Sequence, residues 1–370
     1  MKYTYQDQEY LFERYPVSSN RSLRPVSAAD ELLLSFHQEN PVADVLIQHD
    51  RFGIIANCLH QSNPVFVGTF ASQEKALKLN LKANNLNESA IEIISPLEQS
   101  EKSADLVLMR LPKSLDLFDL YLSQAVQSSK PGTRIVIGFM TRNFTPAILK
   151  IADKYATEAN QSRARKKARL LVLSGIKSKA VPTPGKLIKT ISYLATDFRQ
   201  FYGVFSAKNI DYATQYLLPF LTPPETAVAP DAPLKLLDIG CGNGIIGHWL
   251  LRYYPNSLLS VTDDSALAIA SSRLNLNNDH TNFIYSDSLD QLADDSQDLV
   301  VSNPPFHFGH ENNIEVSISL FKQVRRVLKS GGKFYVVANR HLNYRTHLEP
   351  LFSRVVTKGE GDKFIVYEIS

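Results

Sequence analysis

The 370-residue sequence is poor in the residues that build crosslinked or metal-bound folds, and it has no long apolar segment. Its two cysteines, Cys58 and Cys241, are too few for a disulfide framework or a cysteine-rich zinc site, so we expect no metal. No apolar run approaches the roughly 18 residues that a membrane helix needs, and the N-terminus lacks the apolar core of a signal peptide. We therefore expect a cytoplasmic protein that does not bind membranes.

An excess of charge of one sign is also missing. The sequence has 40 Lys and Arg against 37 Asp and Glu, a formal net charge of +3, so affinity for a polyanion has to come from a local cluster. Residues 163–169 form such a cluster, with five basic residues in seven. A run of this kind is often a solvated face, and it is also a candidate for contact with RNA phosphates. Its basic members are Arg163, Arg165, Lys166, Lys167 and Arg169.

Hydrophobic residues form 44% of the sequence, enough for a sizeable core, and they occur in short strand-like runs that alternate with helical patterns. This alternation predicts an α/β fold with a doubly wound parallel sheet. The pattern occurs twice at a spacing of about 190 residues, since residues 105–112 parallel residues 298–305. We predict two domains, 1–180 and 181–370, with the boundary in the breaker-rich segment 181–185.

The second half contains a glycine-rich turn between a strand and a helix. It reads Asp-x-Gly-x-Gly-x-Gly, with Asp238, Gly240, Gly242 and Gly244, and Asp263 ends the next strand. The same turn contains G-x-G-x-x-G, so a dinucleotide-binding oxidoreductase is an alternative, as is a tight turn without a ligand. The carboxylate of Asp238 favours S-adenosylmethionine (SAM), because it would repel a pyrophosphate and attract an ammonium or sulfonium group. Asp263 is suited to accept hydrogen bonds from ribose hydroxyls.

A second motif, Asn303-Pro304-Pro305-Phe306, follows a strand in the same half. The Asn303 side-chain oxygen and the Pro304 carbonyl are both acceptors, which suits them to hold an amino group through its two N–H donors. Phe306 offers a face for stacking on a planar base. This chemistry favours methyl transfer to a weakly nucleophilic, conjugated nitrogen, where positioning does most of the catalysis. Taken alone, the motif is also compatible with a proline turn that only ends the strand.

With these motifs, and with residues 337–341 (Val-Ala-Asn-Arg-His), the sequence resembles the ribosomal RNA guanine-N2 methyltransferase family of RlmG (large subunit) and RsmC (small subunit), more closely RlmG. The resemblance covers most of the chain. It implies two tandem Rossmann-like SAM-methyltransferase domains, the N-terminal one degenerate, and methyl transfer to the exocyclic N2 of one guanine in 23S rRNA. A guanine in 16S rRNA, an adenine N6 and a protein glutamine are alternative acceptors. A non-catalytic RNA-binding protein is a further alternative.

The resemblance also implies roles for individual residues. It implies that SAM binds on the turn formed by Asp238, Gly240, Gly242 and Gly244. Asp263 would then contact the ribose of SAM and Asp287 its adenine amine, and Phe205 and Ser206 would form a cofactor lid. It places the guanine N2 on Asn303 and Pro304, with Phe306 stacking on the ring; His307 is a candidate base or a pocket-lining residue. One departure is Tyr212-Ala213, where a glycine is expected near an acid.

The N-terminal copy has lost the residues that carry this chemistry. His49 and Arg51 replace glycines of the turn, Gly68 or Thr69 replaces the ribose acid, and Arg110 stands in the position of Asn303. We therefore expect no cofactor in this copy and predict that it docks rRNA. Because tandem copies can imitate a dimer within one chain, we expect a monomer.

Overall fold

The chain folds into two compact units, Met1–Ile188 and Lys189–Ser370, which we call the N-terminal and C-terminal units. The structure is a computed structural model that describes residues 1–18, 20, 22–177, 181–223, 233–276, 278–304 and 314–370. The division lies after the segment 181–185, in which the sequence predicts the boundary. Part of that segment packs on the N-terminal unit, where Ser123 Oγ donates to the Pro182 carbonyl at 2.5 Å.

The N-terminal unit begins with a small hairpin and continues as an α/β domain. Its strands are β1 Lys2–Tyr5, β2 Gln8–Leu11, β3 Val45–Gln48, β4 Val65–Val67, β5 Glu92–Ile94, β6 Ala104–Arg110, β7 Ser129–Met140, β8 Ala156–Gln161 and β9 Ala168–Ile176. Its α-helices are α1 Ala28–Glu39, α2 Ile54–Cys58, α3 Ala71–Ala83, α4 Leu115–Gln127 and α5 Pro146–Ala152. Ser27 and Asp30 form a capping box that begins α1.

The C-terminal unit has the same plan. Its strands are β10 Ile188–Tyr193, β11 Thr196–Phe201, β12 Lys235–Ile239, β13 Leu258–Asp263, β14 Thr281–Tyr285, β15 Gln297–Ser302, β16 Leu328–Asn339, β17 Val355–Glu360 and β18 Phe364–Ile369. Its α-helices are α6 Tyr212–Leu217, α7 Ile245–Tyr253, α8 Ala266–Ser272, α9 Ile314–Val327 and α10 Arg345–Leu348. Strands β10 and β11 form a separate two-stranded sheet.

Each unit is built on a seven-stranded sheet, and the two sheets have equivalent strand orders. The order is β5-β4-β3-β6-β7-β9-β8 in the N-terminal unit and β14-β13-β12-β15-β16-β18-β17 in the C-terminal unit. The first five strands of each order are parallel to one another, and the sixth and seventh each pair antiparallel with the strand before them in the order. The predicted tandem α/β copies are therefore confirmed.

Strand pairing also shows which residues are equivalent in the two units. Gln48 lies opposite Met109 in the β3–β6 pair, and Ile239 lies opposite Ser302 in the β12–β15 pair. Arg110, which follows Met109, thus stands where Asn303 stands in the C-terminal unit.

Apolar residues cover both faces of the C-terminal sheet. Leu236 and Val301 belong to a core on one face, whereas Leu237 and Val300 belong to a core on the other. Such strands are buried on both sides, as expected for a parallel sheet between helices. Within the described part of the chain, no helix combines the length and apolar character needed to span a bilayer.

Close packing of α1 on β7 predicts a stability defect in the variant Gly138→Ala. A Cβ on Gly138 would lie 2.8 Å from Leu33 Cγ and 2.9 Å from the Ala29 carbonyl oxygen. We expect this overpacking to lower the free energy of unfolding by about 1–3 kcal/mol, measured by urea denaturation. Gly185→Ala is the control, since a Cβ there meets no atom of the described residues within 4 Å. Equal stability of both variants would contradict the packing argument.

Candidate active site

The candidate site lies at the carboxyl ends of the neighbouring strands β12, β13 and β15, the edge where open parallel sheets bind ligands. Backbone N–H groups of Gly240 and Cys241 donate to the Thr262 carbonyl at 2.8 and 3.1 Å. Ser302 Oγ donates to the Ile239 carbonyl at 2.9 Å. These bonds connect the glycine turn to the strand ends on either side of it.

The glycine turn leaves space along its backbone. Gly240, Gly242 and Gly244 have φ values of +74°, +55° and +86°, in the left-handed region that favours glycine. A Cβ on Gly240 would lie 3.7 Å from the Asn303 carbonyl oxygen, whereas one on Gly242 would meet no described atom within 4 Å. Gly244 instead serves packing, because its Cβ would lie 3.1 Å from Leu276 Cδ1. The turn therefore adjoins Asn303 and is open at Gly242.

Asp238 is a buried carboxylate with an unused oxygen. Its Oδ2 accepts from the Gly247 backbone N–H at 3.1 Å, and its buried Oδ1 has no hydrogen-bond donor among the described residues. Burial raises the pKa of Asp238 to about 7, against the lowering effect of the Gly247 hydrogen bond. A buried acceptor without a partner is costly. This oxygen is thus suited to a cationic donor such as an ammonium group.

Asp263 connects the glycine turn to the start of α8. One carboxylate oxygen accepts from the Gly242 N–H at 3.0 Å, and the other accepts from the Ser265 N–H at 2.8 Å. Burial raises the pKa of Asp263. Each oxygen keeps a further lone pair, so the residue can also accept from ribose hydroxyls. The half-buried Asp287 follows Ser286, whose N–H donates to the Asp263 carbonyl at 3.1 Å.

The predicted lid segment is connected to the glycine turn through a residue that sequence reasoning missed. The buried Gln200 accepts from Asn243 Nδ2 at 3.0 Å and donates from Nε2 to the Ser206 carbonyl at 3.4 Å. Ser206 has a φ of +61°, and Phe205 is 74% exposed. Nothing in the local sequence marks Gln200, because its partners lie in other loops.

Asn303 follows β15 and is anchored by its amide nitrogen. Its Nδ2 donates to Asp211 Oδ2 and to Thr214 Oγ1, both at 2.9 Å. Its Oδ1 is buried and has no donor among the described residues. Pro304 is buried beside it. Three predicted residues of this motif, Pro305, Phe306 and His307, lie outside the described residues.

Asp211 and Thr214 are two further site residues that the local sequence does not mark. The departure at Tyr212-Ala213 does not disturb Asp211, whose Oδ2 caps α6 by accepting from the Ala213 and Thr214 N–H groups at 3.1 and 3.4 Å. An acid immediately before a helix indicates a cap, but not contact with Asn303.

The basic cluster forms the tip of the β8–β9 hairpin in the N-terminal unit. Arg163, Arg165, Lys166 and Lys167 are exposed, and the two lysines have φ values of +48° and +61°, as a two-residue type I′ turn requires. Lys166 pairs with Glu31 at 2.8 Å. Arg169 is half-buried, and its Nη1 donates to Gln161 Oε1 at 3.3 Å. Four of the five predicted cations are therefore on the exposed tip.

The N-terminal copy of the turn differs in charge and in bulk. His49 has a φ of +58° at the position of Gly240, and its ring lies 5.8 Å from that of Tyr121 and 6.4 Å from that of Phe70. Burial lowers the pKa of His49 to about 3, so the ring is neutral at physiological pH. Arg110 pairs with Asp30. An aromatic cluster and an ion pair thus replace the glycine and the amide.

Burial of Asp238 predicts a pH-dependent stability difference between the wild type and Asp238→Asn. The folded protein holds the Asp238 proton more tightly than the unfolded chain, because the pKa rises from 3.8 to about 7. The wild type therefore loses stability relative to Asp238→Asn as the pH rises from about 4 to about 7, by at most roughly 1.4 kcal/mol per pH unit. Denaturation across this range measures the difference. Asp362→Asn, at an exposed position, should follow the wild type; parallel curves for all three would refute the burial effect.

Comparison with known proteins identifies relatives for both units. Residues 1–178 match the family "RLMG N-terminal domain", and residues 195–368 match "Methyltransferase small domain". The chain is 30% identical to "Ribosomal RNA large subunit methyltransferase G" of Klebsiella pneumoniae (strain 342), over 96% of this chain and 95% of the relative. It is also 30% identical to the protein of the same name from Pseudoalteromonas atlantica, over 97% and 96%.

A solved structure has the same fold along the whole chain. It is the Thermus thermophilus "16S rRNA N2 G1207 methyltransferase (RsmC) in complex with AdoMet and Guanosine", with a TM-score of 0.77, 21% identity and coverage of 100% of this chain and 97% of that one. Together with the strand orders of both units and the sequence relatives, this shows that the chain belongs to the ribosomal RNA large subunit methyltransferase G family.

Proposed function

We propose that this protein transfers a methyl group from SAM to the exocyclic N2 of a specific guanine in 23S rRNA. The observation that carries the proposal is the buried Oδ1 of Asn303 beside the open glycine turn; this oxygen has no donor among the residues that the structure describes. An acceptor at this place suits an amine, and the turn suits the methyl donor. Relatives named as large-subunit rRNA methyltransferases support the choice of RNA.

The cofactor residues in this proposal lie around the glycine turn. Asp238 pairs through Oδ1 with the ammonium group of SAM, Gly240 and Gly242 admit the ligand against the backbone, and Asp263 accepts from the ribose. In the same proposal Asp287 accepts from the adenine amine, and Phe205 and Ser206 form the lid. The cofactor supplies an electrophilic methyl group on its sulfonium.

The acceptor residues are Asn303, Pro304, Pro305 and Phe306. Asn303 Oδ1 and the Pro304 carbonyl accept the two N–H bonds of the guanine amine. Held in this way, the amine loses delocalisation into the ring and turns its lone pair towards the methyl group. Phe306 stacks on the base. Because a paired guanine has its N2 engaged, the target must be unpaired or leave its stack. After transfer the extra N2 proton passes to water.

Removal of the acceptor side chain tests the assignment of Asn303. We expect Asn303→Ala to lower kcat by about 100-fold or more, because the amine loses its positioning partner. SAM affinity, measured by calorimetry, should stay close to that of the wild type. Asn282→Ala, at an exposed position on β14, is the control and should keep full activity. An active Asn303→Ala enzyme would exclude the proposed role.

The acceptor itself is identified by its product. Wild-type protein and labelled SAM are incubated with rRNA from cells that lack this protein, and the RNA is digested to nucleosides. N2-methylguanosine in 23S rRNA is the expected product. Label in 16S rRNA or in N6-methyladenosine would replace the proposed acceptor by one of the alternatives. A parallel incubation with ribosomal particles from the same cells tests the third alternative, a protein glutamine.

The N-terminal unit docks the RNA in this proposal, through the exposed hairpin tip. Arg163, Arg165 and Lys167 are exposed cations on a turn anchored in the sheet. Because the sheet holds this turn, the backbone positions of the three cations are largely fixed before RNA binds. Phosphate contacts made by such residues contribute affinity that falls with salt. Lys166, paired with Glu31, contributes after that pair opens. Arg169 lies at the base of the tip.

Loss of two tip cations should weaken RNA binding in a salt-dependent way. For Arg165→Ala/Lys167→Ala we expect a weaker Kd for rRNA and a slope of log Kd against log salt reduced by about 0.7–0.9 per lost contact. Filter binding at several salt concentrations measures both. Lys78→Ala/Lys82→Ala removes two exposed cations from α3 as a charge-matched control. Equal effects of the two pairs would show general electrostatics rather than a docking surface.

We further propose that the protein acts as a monomer in the cytoplasm. Two tandem units of the same topology give one chain both a docking unit and a catalytic unit, so a second copy is not needed to complete the site.

A further inference from the structure

We propose that Asp211 and Thr214 are positioning residues that hold the Asn303 amide so that only its oxygen faces the acceptor amine. The inference rests on the proposed function and adds to it how Asn303 is oriented. Neither residue touches the cofactor or the base in the proposed site. Both lie at the N-terminal end of α6, 92 and 89 residues before Asn303 in the chain.

The chemistry of the partners determines which way the amide points. An ionised carboxylate only accepts hydrogen bonds, so Asp211 Oδ2 must face the N–H₂ group of Asn303. Thr214 Oγ1 takes the second N–H at 2.9 Å. With both N–H bonds in use, Oδ1 is the one polar atom that the side chain offers to the site. The inverted amide would place two oxygens against each other and aim donors at the donors of the target amine.

The carboxylate also makes the amide a better acceptor. A hydrogen bond to a charged group is stronger than a neutral one, and hydrogen bonds in series polarise one another. Asp211 thus increases the negative charge on Asn303 Oδ1 as positive charge develops on the attacked nitrogen. The same carboxylate oxygen caps α6, so one group holds both the start of α6 and the Asn303 amide.

The N-terminal unit has an equivalent contact between a strand end and a helix N-terminus, but it leaves no acceptor free. There Arg110, at the position of Asn303, donates to Ser27 Oγ and to Asp30 Oδ1. Ser27 and Asp30 are the N-cap and third residues of α1, as Asp211 and Thr214 are the N-cap and third residues of α6. In both units this contact joins the strand end to a helix. A guanidinium has no acceptor to present, whereas the amide keeps one.

A mutant cycle separates positioning from a structural contribution. We expect Thr214→Val, which removes the acceptor at nearly constant shape, to lower kcat about 5- to 10-fold, and Asp211→Asn by a similar factor, with SAM affinity unchanged. Thr214→Ser, which keeps the hydroxyl, should restore kcat. In an Asn303→Ala background, Thr214→Val should cost no further activity in single-turnover assays, because the residue acts through the missing amide.

Two controls make the test decisive. Ser114→Ala removes the N-cap of α4 in the N-terminal unit, so it should lower thermal stability without lowering kcat. Hydrogen exchange of the Asn303 side-chain N–H₂, followed by NMR on isotope-labelled protein, should be slow in the wild type and faster in Thr214→Val.

An equal loss of kcat from Thr214→Val in both backgrounds, no loss in either, or an unprotected Asn303 amide in the wild type would overturn the positioning role. If the Asn303 amide is protected but the wild type methylates no amine at all, the proposed function is wrong. The orientation of the amide by Asp211 and Thr214 is still supported in that case. If another amine is methylated, the same cycle is run on that acceptor, because the orientation of Asn303 does not depend on which amine it meets.

Discussion

Two hydrogen bonds from the Asn303 amide nitrogen, to Asp211 and Thr214, determine what the end of β15 presents to a substrate. Neighbouring bonds connect the same region to the rest of the site. Ser302 holds the end of β12, and Gln200 links the lid to the glycine turn. The proposed acceptor oxygen, the cofactor turn and the lid are therefore each held by hydrogen bonds to neighbouring segments of the C-terminal unit.

The buried carboxylate of Asp238 affects both the stability of the ligand-free protein and the binding of a cation. Its burial raises the pKa to about 7, and one oxygen lacks a donor in the described part of the chain. A group of this kind weakens the ligand-free fold and strengthens the binding of a cation. Asp50, at the start of α2 in the N-terminal unit, is also buried and has a pKa raised to about 7, but it accepts three backbone N–H bonds. Asp50, which the strand register places at the position of Cys241, is thus satisfied by its own helix, whereas Asp238 keeps an oxygen without a donor in the described part of the chain.

The two units show that the sheet and the chemistry are separable. Equivalent strand orders carry an aromatic cluster around His49 and an Arg110–Asp30 pair in one unit, and an open glycine turn with an anchored amide in the other. Side chains at the strand ends can change in this way because the buried strands carry the stability and the loops carry the site.

The sequence alone determined the tandem α/β plan, the glycine turn before α7 and the position of Asn303 after a strand, because these features depend on hydrophobic periodicity and on backbone preferences within a few residues. Only the tertiary structure decided that Gln200, Asp211 and Thr214 belong to the site, that Phe205 is largely exposed, and that Arg169 sits below the exposed tip. The direction of an amide depends on its partners, and the partners of Asn303 come from about 90 residues away, brought to it by the order of the strands.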